Sequence, residues 1–401
     1  LLERHNARPF RISKEDLEQL DYVELVEKNY TVNINDFIIP NDTHYDKQWG
    51  ISPMRLPRAW YNNTGSEAVR VAVLDTGIDN THNDLQANVN LNDGYNYVEG
   101  NTNTMDFNGH GTHVAGIIGA VTNNSLGIAG VMWDVDIIPI KVLGDDGSGS
   151  SWGVADGILH AAGLKIARPI DPVNVINMSL GSSSYSSVIH DAVKQANQEG
   201  VIIVAASGNS GMSTVGYPAR NEEVIAVGAL GENLQLAAYS NYGPNQEITA
   251  PGSLVLSTIP GGVYQYKSGT SMASPYVAGV AGLAISSGVP QSLVRHVLNN
   301  TAIDLGDENY YGSGLVNAYW VVNNVSEIKI TFNGVTEVID LTQQSFTIVQ
   351  NEVQEGEYEL TVWIDVKGNG VLESGDYYYS EIINVTSDGV YNINVVLEER
   401  P

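Results

Sequence analysis

The sequence contains no cysteine. That excludes disulfides, thiolate catalysis and cysteine metal sites, and it leaves the redox compartment unmarked. Nor does any run approach the ~20 apolar residues that a membrane-crossing helix needs. The most apolar stretches, 201–206 and 276–285, are too short. Charge is scarce and one-sided. Only 16% of the 401 residues are charged, with 19 Lys and Arg against 46 Asp and Glu, so the formal net charge is −27. Such a surface repels nucleic-acid phosphates and anionic membranes, favours solubility and invites divalent cations. Internal repeats and low-complexity linkers are also lacking. Leu1 rather than Met opens the chain. Upstream sequence is therefore expected, in which a secretory signal would lie.

What is present falls into three regions. Residues 1–36 carry Ser13-Lys14-Glu15-Asp16, a helix-cap pattern, and then the extended run Tyr22-Val23-Glu24-Leu25-Val26. Residues 37–324 alternate short Val- and Ile-rich strands (69–74, 173–178, 201–206, 224–227) with helical stretches near 110–120, 153–167, 186–199 and 270–286. That alternation predicts an α/β fold, a mainly parallel sheet flanked by helices. Residues 325–401 switch to period-two alternation at 328–332, 357–364 and 390–397, with turns at Asn333-Gly334 and Asp388-Gly389. This tail reads as a small antiparallel β-sandwich.

Four motifs carry chemistry. An apolar strand ends in Leu74-Asp75-Thr76-Gly77, and functional groups collect at the carboxyl ends of strands in open α/β sheets. Asp-Thr-Gly also occurs in aspartic proteases, whose second carboxylate would here have to come from a dimer, because the chain has no second copy of the motif. The second motif is Asn108-Gly109-His110-Gly111-Thr112-His113. It has two histidines at helical spacing but not the Glu of the His-Glu-x-x-His metal pattern, so His110 reads as a base rather than a ligand. The third, Ser268-Gly269-Thr270-Ser271-Met272-Ala273, opens an Ala/Gly/Val helix. A serine there is either a plain N-cap or a nucleophile whose oxyanion the helix terminus stabilises. The fourth, Ala206-Ser207-Gly208-Asn209, follows a strand and offers an amide donor.

Taken together these motifs resemble the subtilisin-like serine proteases, the subtilase family, of the thermitase and subtilisin type, from about Pro40 to Ala318. The chain order Asp, His, Ser is the one known for subtilisin itself. The resemblance implies that Asp75 orients and charges His110, that His110 is the general base, and that Ser271 is the nucleophile. Asn209 and the Ser271 N–H would be the oxyanion donors. It implies a secreted endopeptidase of broad specificity acting on protein and peptide substrates. The peptide would be held as an added strand between Gly147-Ser148-Gly149 and Ser179-Leu180-Gly181, with Ala206, Ser207, Gly208 and Gly216 lining an uncharged pocket. Asp145 and Asp146 beside one edge would favour basic residues upstream.

The resemblance also implies Ca2+, held by Asp42, Asp84, Asn124 and the carbonyls of Thr122, Leu126 and Ile128, since hard oxygen ligands suit calcium. A second family site falls on Asn96, Glu99 and Asn101. In the tail, 365–376 resembles an EF-hand-like loop, although Lys367 stands where a ligand is usual, and it reads equally as a β-hairpin turn. Residues 1–36 resemble the end of a propeptide, which would make the chain a zymogen inhibited by its own propeptide; a plain N-terminal extension is the alternative. Two alternatives stay open on the sequence: a catalytically silent binding protein on the same fold, and a transpeptidase or ligase that uses the same acyl-enzyme.

Overall fold

The computed structural model describes residues 37–323, together with the backbone of five strands between 327 and 399. Expectations placed on 1–36, on the 365–376 loop and on the run 390–397 lie outside the described residues. The same holds for the roles proposed for the flanking regions.

Seven strands build one parallel sheet: β1 (Gly65–Asp75), β2 (Tyr95–Asn96), β3 (Asp134–Lys141), β4 (Val175–Met178), β5 (Ile202–Ala206), β6 (Val224–Leu230) and β7 (Ile248–Pro251). Their order across the sheet is β2-β3-β1-β4-β5-β6-β7. Strands buried on both faces need continuous apolar runs, and β5 and β6 are buried throughout. The direction of winding reverses around β1. Functional groups therefore converge at the carboxyl ends of β1 and its neighbours.

Helices cover both faces. On one side α1 (Leu56–Asn62), α2 (His110–Gly119) and the long α5 (Thr270–Ser286) share a core with Val71, Val73, Val204 and Val227. On the other, α3 (Ser151–Ala161) and α4 (Ser187–Gln198) pack over Ala72, Leu74, Ile176 and Ile203. The alternation of sheet residues between the two clusters is the period-two geometry of a strand. α5 is buried along nearly its whole length, which explains its lack of a polar face. A hairpin, β8 (Val255–Ile259) with β9 (Val263–Lys267), leads into α5. The chain then runs through α6 (Val294–Asn300), α7 (Glu308–Tyr311) and α8 (Ala318–Asn323).

Helix boundaries differ from the sequence reading for local reasons. α3 begins two residues earlier than the stretch at 153–167, because the Ser150 side chain accepts from Gly153 N and caps it. It ends near Ala161, where Gly163 N bonds His160 O and Leu164 N bonds Leu159 O, a Schellman stop. The tail strands β10 (Glu327–Phe332), β11 (Val335–Asp340), β12 (Gly356–Ile364), β13 (Tyr377–Val385) and β14 (Glu398–Glu399) run antiparallel. They lie in one sheet, β11-β10-β12-β13-β14. Its antiparallel character is the one the alternation predicts. The facing sheet that a sandwich needs does not occur among the described residues.

Candidate active site

Asp75 ends β1 and is wholly buried. Its Oδ1 lies 2.7 Å from His110 Nδ1 and also accepts from Thr76 N at 2.7 Å. His110 opens α2, and its side chain is 26% exposed, so one edge of the ring faces the cleft. Burial works against a charged ring here. The charge of Asp75 and its hydrogen bond outweigh burial, so the imidazole pKa lies above the ordinary histidine value. Asp106 adds to the rise, and Lys267 opposes it.

This approach of helix to strand depends on Gly111. A Cβ there would lie 2.1 Å from Gly77 O and 3.2 Å from Asp75 Oδ1. Asp106 holds the same corner. Buried, it accepts from Thr76 Oγ1, Asn108 N and Gly109 N on one oxygen and from Thr112 N and Oγ1 on the other. It thus satisfies free N–H groups at the start of α2. Sequence reasoning passed over Asp106, yet an Asp just before a helix start is a capping signal. His113, one turn on, places Nε2 near the carbonyls of Val255 and Gln265. Burial pushes its pKa down to about 3. It is a neutral clamp between α2 and the hairpin, not a metal ligand.

Ser271 stands at the start of α5, after Gly269. Pro275 lies four residues on and has no N–H to give the Ser271 carbonyl. Ser179 Oγ donates to that carbonyl instead, at 2.8 Å. The Ser271 hydroxyl in turn donates to Ser179 O at 3.2 Å, rather than to His110. Behind this pair, Asn177 Nδ2 donates to Ser179 Oγ and Ser274 Oγ donates to Asn177 Oδ1, all buried.

Asn209 follows β5. Its Oδ1 accepts from both Thr270 N (2.8 Å) and Thr270 Oγ1 (2.9 Å), which leaves the Nδ2 hydrogens as donors. A Cβ on Gly269 would lie 3.4 Å from Asn209 Nδ2 and 3.6 Å from Ser271 N. The missing side chain of Gly269 keeps a space open between two N–H donors, the size an oxygen anion needs.

The two expected substrate edges are partly unpaired: Gly147 N and Ser148 O bond Gly144, and Ser179 O accepts from Ser271. Among the described residues, Gly149, Leu180 and Gly181 make no backbone hydrogen bond. Gly147 and Ser148 are exposed, and Gly147 adjoins Asn108, two residues before His110. Of the pocket residues, Ala206 and Ser207 are buried. Gly208 N bonds Thr270 Oγ1, and Gly216 N bonds Ser207 O, which ties this segment to the start of α5 beside Ser271. Asp145 carries the ammonium of Lys141 at 2.8 Å, and Asp146 accepts from Ser148. Asp145 is thus ion-paired, whereas Asp146 has only neutral donors among the described residues.

Asp42 and Asp84 are buried and converge on the loop 122–128. Asp42 accepts from Asn123 N and Asn124 N, and Asp84 from Ile128 N, Asn124 Nδ2 and Tyr264 OH. Burial raises both carboxyl pKa values, and the charge of Asp42 adds to the rise at Asp84. Neither forms an ion pair with a Lys, Arg or His of the described residues. The carbonyls of Thr122, Leu126 and Ile128 accept no hydrogen bond there, so they remain open. The Asn124 amide turns its nitrogen toward Asp84 and its oxygen to Leu126 N, so a cation would draw that oxygen inward. The donor set fits a hard divalent cation. Among the described residues no group of three or more His, Cys, Asp or Glu is gathered at one metal site. Asn96, Glu99 and Asn101 instead satisfy one another through hydrogen bonds.

With this geometry in hand, comparison with known proteins gives the class. The family model described as the subtilase family matches residues 66–314. The chain belongs to that family, and it is a subtilisin-like serine endopeptidase. It is 43% identical to M-protease of Shouchella clausii over 77% of each chain. It is 46% identical to subtilisin BL of Lederbergia lenta over 67% of this chain and 96% of that one. A solved structure of a protease from Pseudoalteromonas arctica matches with a TM-score of 0.65 at 34% identity, covering 71% of this chain and 98% of that chain. Enzyme membership sets aside the silent-scaffold alternative. No helix of the described residues is long and apolar enough to cross a membrane.

Proposed function

We propose that the chain hydrolyses peptide bonds with broad specificity through Asp75, His110 and Ser271. The observation that carries this reading is the 2.7 Å bond from His110 Nδ1 to a wholly buried Asp75. It fixes the tautomer and leaves Nε2 for the nucleophile. On substrate binding the Ser271 hydroxyl turns from Ser179 O to His110. Its oxygen attacks the scissile carbonyl while its proton passes to Nε2. Charge on the former carbonyl oxygen is taken by Asn209 Nδ2 and Ser271 N–H. As the C–N bond breaks, His110 returns the proton to the leaving amine. Water then enters, gives a proton to His110 and attacks the acyl carbon; as the acyl C–Oγ bond breaks, His110 returns that proton to Ser271 Oγ and the acid product leaves.

The peptide pairs with the edges at Gly147-Ser148-Gly149 and Ser179-Leu180-Gly181. Main-chain pairing and an uncharged pocket of Ala206, Ser207, Gly208 and Gly216 make few demands on sequence. Ca2+ would be held by Asp42, Asp84, Asn124 and the carbonyls of Thr122, Leu126 and Ile128, where it supplies structural charge balance far from any proton transfer. Secretion, a propeptide in 1–36 that acts as inhibitor, and an accessory role for 325–401 complete the reading. Fluorophosphonate labelling and casein hydrolysis test it. Both should vanish in Ser271→Ala while its circular dichroism stays native. Labelling that survives the substitution overturns the assignment, and inhibition by pepstatin would point to Asp75 as an aspartic-protease group instead.

A further inference from the structure

The loop that joins β3 to α3 carries one expected substrate edge, Gly147-Ser148-Gly149, and its residues 145–149 are exposed. Burial therefore does little to fix it. Most of its hydrogen bonds close on the loop itself. Gly144 N donates to Ser148 O, Gly147 N to Gly144 O, and Ser148 N and Oγ to Asp146. Among the described residues, the hydrogen bonds that leave 144–149 both belong to Asp145. Its carboxylate accepts from Lys141 Nζ at 2.8 Å, and its carbonyl accepts from Asn108 Nδ2 at 2.9 Å.

Both bonds end beside Asp75 and His110. Lys141 is the register neighbour of Asp75 across β1 and β3, and it is buried. Its ammonium also donates to Thr76 O, on the residue after Asp75. Asp145 supplies its one ion pair among the described residues. The Lys141 side chain is 4% exposed and that of Asp145 57%, so the ammonium is the fixed post and the carboxylate the end that could move. A buried ammonium holds such a partner firmly, because little water is there to replace it. Asn108 stands two residues before His110, and its own N–H is tied to Asp106. One residue thus couples the substrate loop to the strand of Asp75 and to the start of α2.

We infer that Asp145 is a positioning residue: through Lys141 and Asn108 it sets where the edge 147–149 stands relative to Asp75 and His110, rather than meeting substrate charge itself. This rests on the strand pairing proposed at that edge, and it deepens that reading. An added strand helps the reaction only where the edge stands in register with the bond to be cut. With the anchor cut, the loop keeps its internal turn but loses its fixed place. Long substrates, which pair with the edge, then lose more than short ones, which do not reach it.

The test uses the whole enzyme and peptides with one constant leaving half and a short or a long acyl half, both uncharged. With no charge upstream, Asp145 and Asp146 have nothing to meet as counter-ions. In the wild type the longer acyl half should raise kcat/KM, mainly by lowering KM. In Asp145→Ala that gain should shrink by about three- to tenfold, the size of one net hydrogen bond. Asp145→Asn, which keeps an oxygen for the ammonium, should recover part of it. Lys141→Met cuts the same anchor from the buried end, and the double variant should lose no more than the larger of the single losses. Because the gain is a ratio within each variant, partial loss of folded enzyme does not alter it. A gain unchanged in Asp145→Ala, or losses that add in the double variant, overturns the inference alone. A wild type that cleaves both lengths equally well overturns the strand pairing and the inference with it. One that cleaves neither overturns the endopeptidase reading.

Discussion

Ser179 joins two tasks at one residue. Its hydroxyl fills the hydrogen bond that Pro275 withholds from the Ser271 carbonyl, and its own carbonyl receives the Ser271 hydroxyl. The buried Asn177 and Ser274 leave that hydroxyl little freedom, and removing one such partner costs about 1–3 kcal/mol. At the oxyanion site, Asn209→Leu should cut kcat by roughly 100- to 1000-fold with KM little changed, the magnitude known for the side-chain donor of subtilisin itself. Gly269→Ala should act in the same direction, because its methyl group would occupy the space between the donors. Steady-state kinetics on one peptide checks both. If His110 is the general base proposed, its protonation should set the acid limb of activity. Its pKa is raised, and the base form is required, so activity falls as pH drops through a midpoint above about 6.5. A kcat/KM profile with its midpoint below that value would contradict the Asp75 interaction.

At the scale of elements, the sequence made the site more legible than its frame. The triad motifs and the strands β1, β4, β5 and β6 are all readable as short apolar runs or glycine-flanked polar residues. β3 was not, although it pairs with β1 at the centre of the sheet. It contains Pro139, which counts against a central strand. The hairpin β8–β9 was also missed. Its partners lie far away in sequence: Asp79 on Gly261 N, Tyr264 on Asp84, and Ser257 and Thr258 on carbonyls of α2. The oxyanion space at Gly269 and the corner at Asp106 likewise exist only once three segments meet.

The loop 122–128 belongs to this scale. Asp42 and Asp84 have raised pKa values, so as pH rises above about 4 their charges build up against burial and stability falls unless a cation balances them. The gain in melting temperature from added calcium should therefore be small at pH 4 and grow toward pH 7. Asp84→Asn should reduce that gain. Scanning calorimetry with calcium or a chelator reads it directly.

Over the whole molecule, the charge of −27 acts before any contact forms. Acidic protein substrates are repelled and basic ones drawn in, within a Debye length of about 8–10 Å at ordinary salt. Raising salt should increase kcat/KM for an acidic protein such as casein and decrease it for a basic one such as a histone. A common slope for both would assign the salt effect to the enzyme itself.

The two carboxylates that converge on the loop 122–128, Asp42 and Asp84, should also bear on how the enzyme ages. With a cation bound, the loop should stay packed near Tyr264 and the hairpin that leads to Ser271. Without one, it should loosen into an extended, uncharged peptide of the kind the cleft is proposed to accept, and each molecule would become food for the others. Loss of activity in chelator should then run faster in concentrated solution than in dilute, whereas with calcium the half-life should not depend on concentration. The same loop that steadies one molecule would decide how many can be stored together.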